Sequence, residues 1–196
     1  MKLLDRNELE SELGWRINKP TALFTYHSET LSTVEATDQI RKILSIIGGL
    51  DINVLFTYAN SDDGGRVINN EIEEFASKDK EKYLVVKSLG QLKYLSAMKH
   101  LNFIIGNTSS GIIEAASFQK PVVNIGHRQL GRLQSGNVVD STIEKLEEAV
   151  SKVMSDRFIG RCNEVVNIYG DGRSSQHIVD LLREQSLSTI KTFNDL

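Results

Sequence analysis

Short runs of β-branched and aromatic residues alternate with longer stretches of helical spacing, and this rhythm limits the folds open to the chain. The runs are residues 23–26, 53–58, 83–87, 102–105 and 121–125, with a short sixth at 137–139. Helical patterns fill 35–50, 66–77, 90–99, 111–118 and 142–154, and a last one spans 178–187. Gly48 and Gly49 mark a helix stop. Pro121 opens its run, where a missing N–H is tolerated. The runs are apolar on both sides instead of alternating. Such strands are buried on both faces, which predicts a parallel sheet with helices on each side. Right-handed crossovers then give a doubly wound, Rossmann-like α/β domain in three αβα layers.

Composition removes several classes of function. The 196 residues are enough for one large domain with its own core. The formal charge of −3 is spread among interspersed acids and bases, which excludes the basic footprint of nucleic-acid binding. The single cysteine, Cys162, cannot form an internal disulfide, and no Cys/His spacing suits a metal. These features predict a reduced, cytoplasmic protein. Residues 1–13 lack a signal-peptide apolar run. No apolar run approaches the about 20 residues needed to span a bilayer, so no membrane partner is expected. Nothing in the sequence calls for a metal or another cofactor.

In an open α/β sheet, ligands sit beyond the carboxyl ends of the strands. The residues that follow each strand therefore share one rim. They are His27, then Ala59 and Asn60, then Ser88, then the loop Asn107–Gly111, then His127 and Arg128. Taken singly, each is an ordinary polar loop residue. Their convergence is set by topology and suits a phosphate, a ribose and a base. The sharpest local signal is NTSSGIIE at 107–114. The hydroxyls of Thr108, Ser109 and Ser110 and the first free N–H groups of the following helix form an anion seat. Gly111 permits close backbone approach. Glu114 lies one turn beyond Ser110 on the same face, where a carboxylate fits ribose hydroxyls better than phosphate. An ordinary capped helix would carry the same residues. Gly126 allows a sharp turn that returns Arg128 toward this loop, and guanidinium geometry matches phosphate. Arg132 is a weaker second cation. Asp171, between two glycines, reads as a turn former leading into a helix near Ser174.

Four segments carry a resemblance. They are TYHSETL (25–31), FTYANSDDGGRVIN (56–69), IIGNTSSGIIEAASFQKPVVNIGHRQLGRLQ (104–134) and IYGDG (168–172). Together they resemble the hydrolysing UDP-N-acetylglucosamine 2-epimerases, and the likeness runs from Leu4 to about Leu182. The long segment is highly specific. Gly-Asn-Thr-Ser-Ser-Gly alone is not. The resemblance implies one half of a B-type glycosyltransferase (GT-B) architecture. Residues 1–18 are then a lead-in from a missing amino-terminal domain, 19–185 the nucleotide-binding domain, and 186–196 a tail.

By the same resemblance, His27 faces the diphosphate and sugar, and Asn60 the nucleotide or phosphate side. Thr108 and Ser109 take phosphate oxygens, Glu114 the ribose hydroxyls, and Arg128 the diphosphate charge. Ser88 lies near the base. Non-hydrolysing relatives carry Asp-Ser-Gly-Gly where this chain has Asn107-Thr108-Ser109-Ser110, which favours the hydrolysing branch. They also follow the histidine with Arg-Glu, where this chain has Ser28-Glu29. Hydrolysing members of the family usually have Ser where Thr108 stands, a change that keeps the hydroxyl.

The implied reaction is loss of UDP across C1 and C2 of a UDP-sugar, then hydration of the glycal to the 2-epimeric sugar. The family's acidic acid–base residues belong to the missing domain, so this chain alone is expected to bind and not turn over. The expected partners are the UDP-sugar and that domain, with homo-oligomer formation left open. A non-catalytic nucleotide-sugar module and half of a GT-B glycosyltransferase are the rival readings. The His-Ser-Glu and Gly-His-Arg-Gln motifs argue against the second.

Overall fold

The computed structural model describes residues 1–29, 35–62 and 64–185. Thr30 and Leu31 of the first resemblance segment, Asp63 of the second, the expected end of the last helix at 186–187 and the tail 186–196 lie outside the described residues. Six strands form one sheet: β1 (Thr21–Thr25), β2 (Asn53–Thr57), β3 (Tyr83–Val86), β4 (Phe103–Gly106), β5 (Val122–Ile125) and β6 (Val138–Ser141). Every pairing is parallel, in the order β3-β2-β1-β4-β5-β6. The inner strands β1, β2, β4 and β5 are buried along their whole length, whereas the edge strands β3 and β6 are only partly so. Burial on both faces explains why those strands read as continuous apolar runs.

The helices are α1 (Arg6–Leu13), α2 (Ala36–Gly49), α3 (Gly65–Ala76), α4 (Gly90–His100), α5 (Ser109–Ile113), α6 (Leu146–Val153), α7 (Asp156–Cys162) and α8 (Ser174–Glu184). Successive strand residues point to opposite faces, so the core divides in two. Phe24, Phe56, Ile105 and Val123 pack with Ile40, Ile43 and Ile47 of α2, Ile68 and Ile72 of α3, and Leu146 and Val150 of α6. Leu23, Leu55, Ile104 and Val122 pack on the other side with Leu9 of α1 and Ala97 and Met98 of α4. Each fully buried side chain of this kind contributes about 1.5–3 kcal/mol. These are the three layers that the strand pattern predicts.

Several boundaries differ from the sequence reading. Residues 1–18, the expected lead-in, hold a helix the sequence reading did not include, α1. Asp5 and Glu8 form a reciprocal capping box, and Gly14 closes the helix in the left-handed region. Leu9 is wholly buried, and the Trp15 indole N–H donates to the Glu81 carbonyl. The helix expected at 111–118 starts earlier, at Ser109, and breaks after Ile113 into a 3-10 turn, Ala115–Phe118. A 3-10 turn, Ile143–Lys145, likewise precedes α6. Strand β6 runs on to Ser141. Helix α7, capped by the Ser155 hydroxyl, was not foreseen. Helix α8 begins at Ser174, directly after an Asp171 carboxylate that accepts from the Arg173 N–H at 3.0 Å, the turn role expected of it. No residue of α8 is buried, and Ile178, Leu181 and Leu182 are each more than half exposed. Among the described residues, no helix is long and apolar enough to cross a membrane.

Candidate functional site

Strand order reverses between β1 and β4, and the crevice beyond their carboxyl ends is where doubly wound sheets hold ligands. Gly106 ends β4 there with φ +138°, and Asn107 follows, fully buried. The Asn107 side chain is clasped to the β1 loop. Its Oδ1 accepts from the His27 N–H at 2.7 Å and its Nδ2 donates to the His27 carbonyl at 2.8 Å. The Asn107 carbonyl accepts from Gln129 Nε2 at 2.7 Å and Arg128 Nη1 at 3.3 Å. One residue therefore ties the loops after β1, β4 and β5 together. A buried amide with these bonds made is stable, and one with them unmade costs about 1–3 kcal/mol per orphaned group.

His27 is half-buried, and its Nδ1 accepts from the Asn60 N–H at 3.1 Å. An acceptor Nδ1 carries no proton, so the neutral ring bears its hydrogen on Nε2. Burial pushes the imidazole pKa below its ordinary 6.5, and the Arg128 charge pushes the same way. The neutral form is thus the one the fold favours. A lowered folded-state pKa contributes stability that is complete above the unfolded value and is lost as pH falls through the folded one. Below about pH 6.5 the protein is expected to lose stability on acidification, and His27→Gln to flatten that slope. Thermal unfolding from pH 7 to 5 checks this; identical slopes for both proteins would contradict it.

The loop after β4 forms a second cluster. Thr108 caps α5 and its Oγ1 accepts from the Ser110 N–H at 3.4 Å. The Ser110 hydroxyl also meets Thr108 Oγ1 at 3.1 Å and the Tyr94 hydroxyl of α4. Ser109 is the first residue of α5. Gly111 is buried, and a Cβ there would lie 3.2 Å from Val122, so glycine lets α5 approach the sheet closely. Thr108, Ser110 and Tyr94 share a groove of about 370 Å³ with Ser88, Thr25 and Thr57. That is within the size of small-molecule clefts, about 300–1,000 Å³. Ser88 is exposed there and its hydroxyl accepts from the Gly90 N–H at 3.3 Å. With only five residues, α5 has too few aligned peptides for a strong macrodipole; its free N–H groups are what an anion would meet.

Glu114 caps the carboxyl end of α5. Its carboxylate has no hydrogen-bond or ion-pair partner among the described residues, and desolvation raises its pKa. Asn60 is exposed, and its Nδ2 donates to Asp62 at 2.5 Å. Arg128 is exposed too, while Arg132 lines a separate cleft between the β5 and β6 ends. Hydrogen bonds thus bring His27, Asn60 and Arg128 together around Asn107. Thr108 and Ser110 adjoin them, with Ser88 across the groove.

Sequence reasoning placed Asn107 on the rim but not as the hub, and it missed three participants. Gln129 and Tyr94 act through long-range hydrogen bonds that no local pattern signals. Glu29 is the third: its Oε1 accepts from the His127 N–H at 2.8 Å and the Arg128 N–H at 3.2 Å. Gly126 turns the β5 loop with φ +74°, as expected of it, and directly abuts that carboxylate.

This fold, with a polar rim at the switch point, defines a Rossmann-like domain of the doubly wound class. The chain belongs to the UDP-N-acetylglucosamine 2-epimerase family, whose profile matches residues 2–183. It is 38% identical over 159 residues, 81% of its length and 41% of the relative's, to a GDP/UDP-N,N'-diacetylbacillosamine 2-epimerase (hydrolyzing) of Campylobacter jejuni. It is 30% identical over 199 residues to the polysialic acid biosynthesis protein P7 of Escherichia coli, spanning 100% of this chain and 50% of that protein. Among solved structures it resembles the UDP-GlcNAc 2-epimerase of Neisseria meningitidis bound to UDP-GlcNAc, at TM-score 0.70 and 16% identity over 91% of this chain and 49% of that one. The S. aureus MnaA-UDP co-structure matches at TM-score 0.65 and 18% identity, over 92% and 50%. The chain spans about half the length of the relatives it matches.

Proposed function

We propose that residues 19–185 form the nucleotide-binding half of a hydrolysing 2-epimerase acting on a nucleoside-diphosphate-linked amino sugar. The observation that carries this reading is the Asn107 hub, which holds the His27 backbone and the Arg128 guanidinium at the switch point. Arg128, the Nε2–H of His27 and the N–H groups and hydroxyls of Thr108, Ser109 and Ser110 face the diphosphate. Glu114 takes the ribose hydroxyls with its unspent acceptors. Asn60 lies on the phosphate side, and the base enters the groove by Ser88.

In the reaction, the C2 proton and the C1–O bond to the diphosphate are lost together, leaving a glycal and a free nucleoside diphosphate. Water then adds its hydroxyl at C1 while a proton returns to the opposite face of C2. Negative charge grows on the leaving diphosphate, and donors held in advance on this half stabilise it, often the largest contribution to catalysis. The groups that move the C2 proton belong to the other half. Residues 1–196 alone are therefore expected to bind the nucleotide and release no 2-epimeric sugar.

The test is calorimetric titration with UDP and with GDP, since one relative's name includes both nucleotides. Glu114→Gln should weaken the preferred nucleotide roughly 5- to 30-fold, about 1–2 kcal/mol for a charged hydrogen bond to a ribose hydroxyl. Thermal stability should hold, because Glu114 is exposed and its carboxylate has no partner among the described residues to lose. A raised folded-state pKa means Glu114 favours the fold in acid and loses that contribution as pH rises. Absence of affinity for either nucleotide sinks the proposal.

A further inference from the structure

We infer that Glu29 is a positioning residue that fixes Arg128 for the diphosphate by clamping the backbone of the β5 loop. The inference rests on the nucleotide-binding reading above. Its physical basis is a puzzle: a carboxylate beside a site proposed for a dianion is a repulsive charge, so its presence needs a compensating structural task. The hydrogen bonds define that task. A single oxygen, Oε1, accepts both the His127 N–H at 2.8 Å and the Arg128 N–H at 3.2 Å. Consecutive N–H groups converge this way when a left-handed residue precedes them, forming an anion-binding nest. Gly126, at φ +74°, is that residue.

The fit leaves no spare room. A Cβ on Gly126 would stand 2.2 Å from the same Oε1. The glycine is therefore needed for its dihedral and also for the space the carboxylate fills. The clamp joins the β1 loop to the β5 loop at a second point, apart from the Asn107 clasp. Arg128 is then held at two places: its amide by Glu29, and its Nη1 by the Asn107 carbonyl at 3.3 Å. A surface arginine ordinarily loses several freely rotating bonds when it grips a ligand. Fixing its backbone beforehand reduces that loss, which is the advantage of preorganisation.

The charge and the geometry of Glu29 therefore act on affinity with opposite sign, and two variants separate them. Glu29→Gln keeps a carbonyl acceptor for both amides and removes the repulsion, so UDP should bind as tightly as to the unsubstituted protein or more tightly. Glu29→Ala removes the acceptor. Its UDP affinity should fall about fivefold, with no further fall when Arg128→Ala is already present, the mark of a residue acting through another. Gly126→Ala, which evicts the carboxylate, should reproduce the alanine result.

Hydrogen exchange of the peptide holding His127 and Arg128 reads the clamp without nucleotide. Exchange should speed up about tenfold or more in Glu29→Ala and remain near the original rate in Glu29→Gln. Tighter UDP binding by Glu29→Ala, or equal losses with and without Arg128, would overturn the positioning role. Unchanged exchange in Glu29→Ala would overturn the clamp itself. If the unsubstituted protein binds neither UDP nor GDP, the proposed function falls, and the exchange data alone decide the clamp.

Discussion

Gly106→Ala is expected to cost on the order of 4 kcal/mol of stability, in the rare severe range for single substitutions. Two effects combine. At φ +138° an alanine is strained whatever the space around it. Its Cβ would also stand 1.9 Å from the Thr25 carbonyl oxygen and 2.7 Å from the carbonyl carbon. These are backbone atoms of the paired strand, so no rotamer change relieves the contact. Thr25 and Gly106 are register partners in β1 and β4, and the Asn107 N–H also donates to the Thr25 carbonyl at 3.2 Å. Alanine would therefore wedge the sheet open at its switch point. A melting temperature lower by roughly 8–16 °C is expected for a domain of this size. Gly131→Ala is the control. It too has positive φ, +83°, but nothing lies within 4 Å of its Cβ, so it should cost only about 1 kcal/mol. Equal melting temperatures for the two variants would refute the steric argument.

Arg128→Ala is expected to weaken UDP binding roughly 10- to 150-fold, the worth of about 1.5–3 kcal/mol for hydrogen bonds to a charged group. The fold should barely change, because Arg128 is exposed and, among the described residues, its side chain makes one long hydrogen bond, to the Asn107 carbonyl. Arg128→Lys should recover part of the loss, since a point charge replaces the planar fork. The contrast between variants should shrink with added salt, because exposed charges are screened over about 8–10 Å at physiological ionic strength. Removing Arg128 also relieves the positive charge beside His27, so the imidazole pKa should rise. An imidazole NMR titration of the free protein checks that shift independently of nucleotide. Calorimetry showing Arg128→Ala within twofold of the unsubstituted protein would remove Arg128 from the proposed site.

The legible part of the fold was the part that burial writes into sequence. Strands β1, β2, β4 and β5 sit between two helical layers, so their apolar runs located them within a residue or two. The parallel, doubly wound class then followed from crossover handedness, and the rim from the shared carboxyl ends of parallel strands. Helix α1 was harder to see. Of its eight residues only Leu9 is buried, so its periodicity is faint. Its signals were the Asp5-x-x-Glu8 box and Gly14, which were present and not used. Helix α7 is seven residues long and follows α6 after two, too short for a pattern of its own. At the candidate site, residue type and position after a strand pointed to His27, Asn60, Ser88, the Thr108–Ser110 loop and Arg128. The bonds that organise them were not legible. Asn107 reaches 80 residues back to His27, and Glu29 reaches 98 residues forward to His127. Those separations close only in three dimensions.

Helix α8 has a consequence for the behaviour of the chain in solution. Peptides shorter than about 12–15 residues rarely hold a helix in water without a surface to lie against. With eleven residues, none of them buried, α8 draws little from the rest of the described domain. Its coil–helix equilibrium is therefore close to balance, and any surface that covers Ile178, Leu181 and Leu182 will tip it. Far-ultraviolet circular dichroism would register such docking as a gain of helical signal.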